Sequence, residues 1–158
     1  MVIGVDSGTT NCGLAAVDAD TRELLWQSTH FICRRAHYDD VAVAQDIVDV
    51  VRHLMERFGP SGILQVVAET QWMSAQLRSV QVGFTTAVVS LLSSRHISLV
   101  SAATVKVHFV KEGLGFNGHY QNKRDALALC RRWHYPVDSD HTADAVLLAL
   151  YWLDINGL

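Results

Sequence analysis

Three acidic residues stand where a folded chain would hold a carboxylate rigidly. Asp6 follows the apolar run Val2-Ile3-Gly4-Val5, Glu69 follows Val66-Val67-Ala68, and Asp144 lies at the head of the apolar stretch 143–153. A carboxylate fixed at the end of a buried strand is partly stripped of water and costly to leave unpaired. It needs a cation, a hydrogen-bond cage or a metal. Two such acids on neighbouring strands repel each other unless a divalent cation lies between them. His141 and Asp144 are three apart and Asp140 and Asp144 four apart, so on a helix either pair shares one face. Hard oxygen donors converging from two strands and a helix suit Mg²⁺ or Mn²⁺. Two such ions about 4 Å apart hydrolyse phosphodiesters by activating water and stabilising the leaving oxygen. Plainer roles stand beside these: Asp6 could cap a turn at Gly8 or Thr9, Glu69 could be a surface residue just past a strand, and Asp138 or Asp140 could N-cap the last helix with His141 in solvent.

The elements that would position these residues follow from periodicity. Residues 2–5 read as a strand, the turn formers 6–11 as a reversal, 13–17 as a second strand, and the alternating stretch 23–33 as a third antiparallel strand. From residue 40 the apolar period becomes helical, with Val41, Ala44, Ile47, Val48, Val51, Leu54 and Met55, and Gly59-Pro60 ends that helix. Residues 63–68 form a short apolar run suited to a buried strand parallel to the first, which brings Glu69 beside Asp6. A second helix is expected over 74–95, a strand over 97–100, helices over 102–111 and 122–133, a loop over 113–121, and a final apolar helix over 143–153. The fold class is α/β, a mixed five-stranded sheet of three antiparallel strands followed by parallel ones, flanked by helices.

At 158 residues, half of them apolar, the chain is long enough for one domain with a full core, residues 1–158. Thirteen basic against sixteen acidic residues give a net charge of −3, so the overall field does not favour nucleic acid. The basic residues are grouped, however: Arg34, Arg35 and His37; Lys106, His108 and Lys111; Lys123 and Arg124; Arg131, Arg132 and His134. Each group is a local positive patch or simply a solvated helix face. Cys12, Cys33 and Cys130 are an odd set without CxxC spacing, which excludes a zinc ribbon or disulfide framework and fits a reducing, intracellular compartment. The opening apolar run is too short for a signal peptide, and no run reaches the ~20 apolar residues of a membrane span.

The segment 2–17 with its Gly-Val-Asp-Ser-Gly-Thr-Thr-Asn turn, Val66-Val67-Ala68-Glu69, and His141-Thr142-Ala143-Asp144 together resemble the RuvC-type junction resolvases, a group with viral, poxvirus-like and mitochondrial branches. The likeness runs over nearly the whole chain in order and spacing. It implies an RNase H-like fold and a nuclease that makes paired, symmetric nicks in four-way (Holliday) DNA junctions by two-metal hydrolysis, giving 5′-phosphate and 3′-hydroxyl ends. It further implies that Asp6, Glu69 and Asp144 bind two Mg²⁺ or Mn²⁺ ions, with His141 or Asp140 as a fourth ligand. Lys106 and Lys123 resemble the two lysines that face the scissile phosphate, Arg124 adjoins the second, and Trp72 resembles the aromatic residue that stacks on bases at the junction centre. Ordinary roles for these are a first-turn helix lysine and a core tryptophan. The helix expected over 74–95 becomes the interface of a homodimer, whose two-fold axis places two active sites on a two-fold junction.

Two other classes share parts of this pattern. An RNase H-like nuclease acting in RNA processing would have the same fold and metals; Trp72 and a dimer helix favour the junction. Sugar kinases and actin-like ATPases place an Asp-x-Gly-Thr-Thr turn around nucleotide phosphates, but they need two lobes, which 158 residues cannot supply.

Overall fold

In a computed structural model of the chain, residues 1–7, 11–31, 49, 52, 56–57, 65–70, 97–112 and 123–158 are described, with only the backbone of 7, 30, 31, 123 and 124. Five strands form one sheet: β1 (Val2–Ser7), β2 (Asn11–Val17), β3 (Leu24–Phe31), β4 (Gln65–Thr70) and β5 (Ile97–Ser101). Their spatial order is β3-β2-β1-β4-β5. The β1–β2 and β2–β3 pairs are antiparallel, and the β1–β4 and β4–β5 pairs are parallel, so the sheet is mixed as the periodicity predicts. Three helices are described after the sheet: α1 (Ala102–Phe109), continued by a 3-10 turn Val110–Glu112, α2 (Lys123–Arg132) and α3 (Asp140–Asn156). Of the helix expected over 40–55, only Asp49 and Arg52 are described; they are helical and exposed, with Arg52 Nη1 2.7 Å from Asp49 Oδ1, as on a solvated helix face. The helix expected over 74–95, the loop over 113–121 and Trp72 lie outside the described residues.

The core is a sandwich of the sheet and α3. Val2, Ala15, Val17 and Val67 form one side of it, and Ala145, Val146, Leu147, Leu148, Ala149 and Leu153 the other. The opposite sheet face is buried as completely, with Ile3, Val5, Leu14 and Val66 all at 0% exposure. A sheet buried on both faces explains why β1 and β4 read as continuous apolar runs rather than alternating ones. Among the described residues no helix is long and apolar enough to cross a membrane.

The ends of α3 are tied down by specific chemistry. Ser139 is the N-cap: its hydroxyl accepts from Thr142 N at 3.1 Å, and the Thr142 hydroxyl accepts from Ser139 N, a reciprocal capping box. The helix therefore starts at Asp140, three residues before the apolar run suggests, and neither Asp138 nor Asp140 is the cap. Asp138 instead accepts from the Thr142 hydroxyl at 3.0 Å. At the other end Gly157 takes a left-handed φ of 70°, which ends the helix. There Asp154 accepts from Arg22 Nη1 and pairs with His108 Nε2, each at 2.8 Å, joining the β2–β3 turn, α1 and α3. Arg22 is 43% exposed at its side chain, so the pair is screened by water. Replacing Asp154 by Ala is expected to lower the melting temperature by only about 2–4 °C, corresponding to about 1 kcal/mol. A drop beyond about 10 °C in a thermal melt would show that this junction is more than a peripheral tie.

Candidate active site

The site lies at the carboxyl-terminal ends of the two central strands. The β1–β4 register pairs Val5 with Ala68, so the next residues, Asp6 and Glu69, follow side by side and on the same sheet face. Strand β4 continues to Thr70, so Glu69 sits inside the strand rather than just past it. This is the face that α3 covers. Helix and sheet touch backbone to backbone at two glycines: a Cβ on Gly4 would lie 1.8 Å from the Ala145 carbonyl oxygen, and one on Gly13 2.1 Å from that of His141. Gly13 pairs with Asp6 across β1–β2. The close approach therefore sets the first turn of α3 directly over Asp6.

His141 is buried, at 8% exposure, rather than in solvent. Its Nδ1 lies 2.7 Å from Asp6 Oδ2, and its Nε2 lies 3.1 Å from Asn11 Nδ2. Asp6 itself is 6% exposed. Among the described residues nothing donates to its other oxygen, Oδ1. Asp144 is partly buried, the one position from His141 to Leu150 that is not fully so. A carboxylate left partly exposed within an otherwise buried helix segment is the pattern of a side chain kept for a purpose other than packing.

Charge couples these groups. Burial, then repulsion from Asp6 and from Asp144, pushes the Glu69 carboxyl up to about 8, with Lys106 opposing the shift. Burial, then repulsion from Asp6, pushes Asp144 up to about 7; Lys106 and His141 lower it and Asp140 raises it further. Lys106, half-buried on α1, is thus within electrostatic reach of two of the acids. Lys123 opens α2, but its side chain and that of Arg124 lie outside the described residues, as does Trp72.

The donors are of the hard-oxygen type, and their surplus negative charge is what a divalent cation would neutralise. Among the described residues, no group of three or more His, Cys, Asp or Glu side chains is already arranged to hold a metal ion. The residues fit such an ion by chemistry and charge, while His141 spends both ring nitrogens on Asp6 and Asn11.

A carboxyl raised in the folded state binds protons that the unfolded chain, at the ordinary values of 3.8 and 4.5, has already released. The contribution of Asp144 and Glu69 to stability is therefore full at low pH and lost as pH rises through about 7 to 8. In chelator, the melting temperature is expected to fall by roughly 5–10 °C between about pH 5 and pH 9. Added Mg²⁺ should restore it at the alkaline end and do little at the acid end. A metal-free melt that rises over this interval would contradict the coupling.

The family described as crossover junction endodeoxyribonuclease RuvC matches residues 2–151. No curated protein sequence matches the chain. Among solved structures, Thermus thermophilus RuvC in complex with a Holliday junction substrate is similar at a TM-score of 0.70 and 16% identity, covering 99% of this chain and 94% of that one. A second structure of Thermus thermophilus RuvC gives 0.68 and 19%, covering 99% and 95%. The fowlpox virus resolvase with its substrate Holliday junction DNA gives 0.59 and 15%, covering 98% and 99%. At these identities the structures speak for the fold, which is the RNase H-like arrangement of three antiparallel strands continued by parallel ones. With the family match spanning nearly its whole length, the chain belongs to the RuvC family of crossover junction endodeoxyribonucleases.

Proposed function

We propose that the protein is a metal-dependent endonuclease that nicks four-way DNA junctions in symmetric pairs, with Asp6, Glu69 and Asp144 holding Mg²⁺ or Mn²⁺ and His141 assisting at the same site. The observation that carries this reading is the gathering of Glu69, at the end of β4, and Asp144, on α3, around the buried Asp6 at the end of β1, which raises both of their carboxyls. Among the described residues, Lys106 opposes the shift of both acids. Family membership supplies the substrate class.

When bound, two such ions would activate water for in-line attack and stabilise the leaving oxygen, which leaves 5′-phosphate and 3′-hydroxyl ends. The protein's own residues do the positioning. Asp6 is held by its strand and by His141, Glu69 by β4, and Asp144 by the seating of α3 on Gly4 and Gly13. Lys106 lies close enough to offset the charge of an incoming phosphate, and Lys123 with Arg124 at the start of α2 adds phosphate contacts. Trp72 stacks on bases unpaired at the junction centre. Because a four-way junction has two-fold symmetry, paired cuts call for a homodimer, acting inside the cell.

The test is cleavage of a synthetic four-way DNA junction by the purified protein with Mg²⁺ or Mn²⁺, read on a denaturing gel beside duplex DNA and structured RNA. Paired symmetric nicks in the junction are expected. Preferential cleavage of RNA would move the function to RNA processing, and failure to cut the junction with either metal would overturn the proposal.

A further inference from the structure

Asn11 opens β2, away from the acids, yet its side chain enters the site. Its Nδ2 lies 3.1 Å from His141 Nε2, while His141 Nδ1 lies 2.7 Å from Asp6 Oδ2. An amide NH₂ only donates and an ionised carboxylate only accepts. The two contacts are compatible with a single placement of the ring proton: Nδ1–H donates to Asp6, and Nε2 accepts from Asn11. The chain of donors runs one way, from Asn11 through His141 to Asp6, across three segments distant in sequence.

We infer that Asn11 is a positioning residue whose amide fixes the orientation of the His141 ring and, through it, the carboxylate of Asp6. This rests on the reading of Asp6 as a metal ligand. Without Asn11 the ring loses the amide contact that holds it from its Nε2 side, and Asp6 Oδ2 loses a donor of fixed direction. Partners of this kind, one bond removed from a ligand, typically change metal affinity by about 10–100-fold. Asn11 is only partly buried, so its replacement leaves no large cavity in the core.

The test uses the metal-free protein labelled with ¹⁵N in its histidines. In the wild type, His141 should carry its proton on Nδ1 and none on Nε2. In Asn11→Leu, which keeps the size and removes the donor, the His141 ring signals should shift and broaden as the ring loses its fixed orientation, and Mn²⁺ binding followed by calorimetry should weaken about tenfold or more. A wild-type spectrum with Nε2 protonated overturns the inference whether or not the variant folds. So does an Asn11→Leu protein with unchanged ring signals or unchanged Mn²⁺ affinity. Junction cleavage by the wild type is scored separately, so its absence would count against the proposed function while leaving the ring measurement standing.

Discussion

Asp144→Asn is expected to abolish junction cleavage, by about 10³-fold or more, and at the same time to make the metal-free protein harder to unfold. The first effect follows from removing one anionic oxygen from the three carboxylates proposed to hold the metal. The second follows from electrostatics: the Asp144 carboxyl is driven up to about 7 by burial and by Asp6, so at about pH 8 its charged form is carried by the fold at a cost. An amide of the same shape removes that cost. Asp and Asn have similar helix propensities, so α3 itself is not weakened. A gain of about 1–3 kcal/mol in denaturant melts at about pH 8 is expected, shrinking at about pH 5, where the native carboxyl is already protonated. Junction affinity should stay within a few-fold of wild type, because the phosphate contacts remain. Full activity in the variant would remove Asp144 from the site. Loss of activity together with loss of stability would make it a structural residue.

How much of this was legible beforehand depended on what kind of signal each feature leaves in the chain. The convergence of Asp6 and Glu69 could be read because both follow short apolar runs and a helix-length segment between them makes the strands parallel; the register then pairs Val5 with Ala68. The place of Asp144 could be read because a charged residue within an apolar helical run breaks the pattern. The start of α3 could not, since three adjacent candidates, Asp138, Ser139 and Asp140, all cap well, and the choice of Ser139 is made by Thr142 and by a 2.7 Å contact between the hydroxyls of Ser139 and Thr29 on β3. The burial of His141 against Asp6 and Asn11 is a tertiary event with no periodic trace. Asn11 reads only as a turn former. The two lysines that the resemblance singled out also separate: Lys106 acts electrostatically on Glu69 and Asp144, and the side chain of Lys123 is outside the described residues.

The glycines of β1 and β2 lead to the second large effect. Gly4→Ala is expected to cost more than about 4 kcal/mol, enough to leave a domain of this size largely unfolded at ordinary temperature. Neither Gly4 nor Gly13 has a positive φ, so conformational freedom is not why they are glycine. What a side chain would meet explains it: at Gly4 the Ala145 carbonyl oxygen at 1.8 Å, its carbon at 2.7 Å and Cα at 3.3 Å, all backbone. Backbone cannot rotate aside, so α3 would have to lift from the sheet, taking the buried row of Ala145, Val146, Ala149 and Leu153 with it. Gly13→Ala meets the His141 carbonyl oxygen at 2.1 Å and the His141 Cβ at 2.8 Å, so even a variant that folds would displace the ring bonded to Asp6 and lose cleavage. Gly157→Ala is the contrasting case. Its φ of 70° is strained for alanine but nothing lies within 4 Å, so the cost is expected to be only about 1 kcal/mol. Denaturant melts of the three variants should therefore rank Gly157→Ala far above the other two. Wild-type stability in Gly4→Ala would mean that α3 does not rest on β1 as described, and the placement of Asp144 above Asp6 would fall with it.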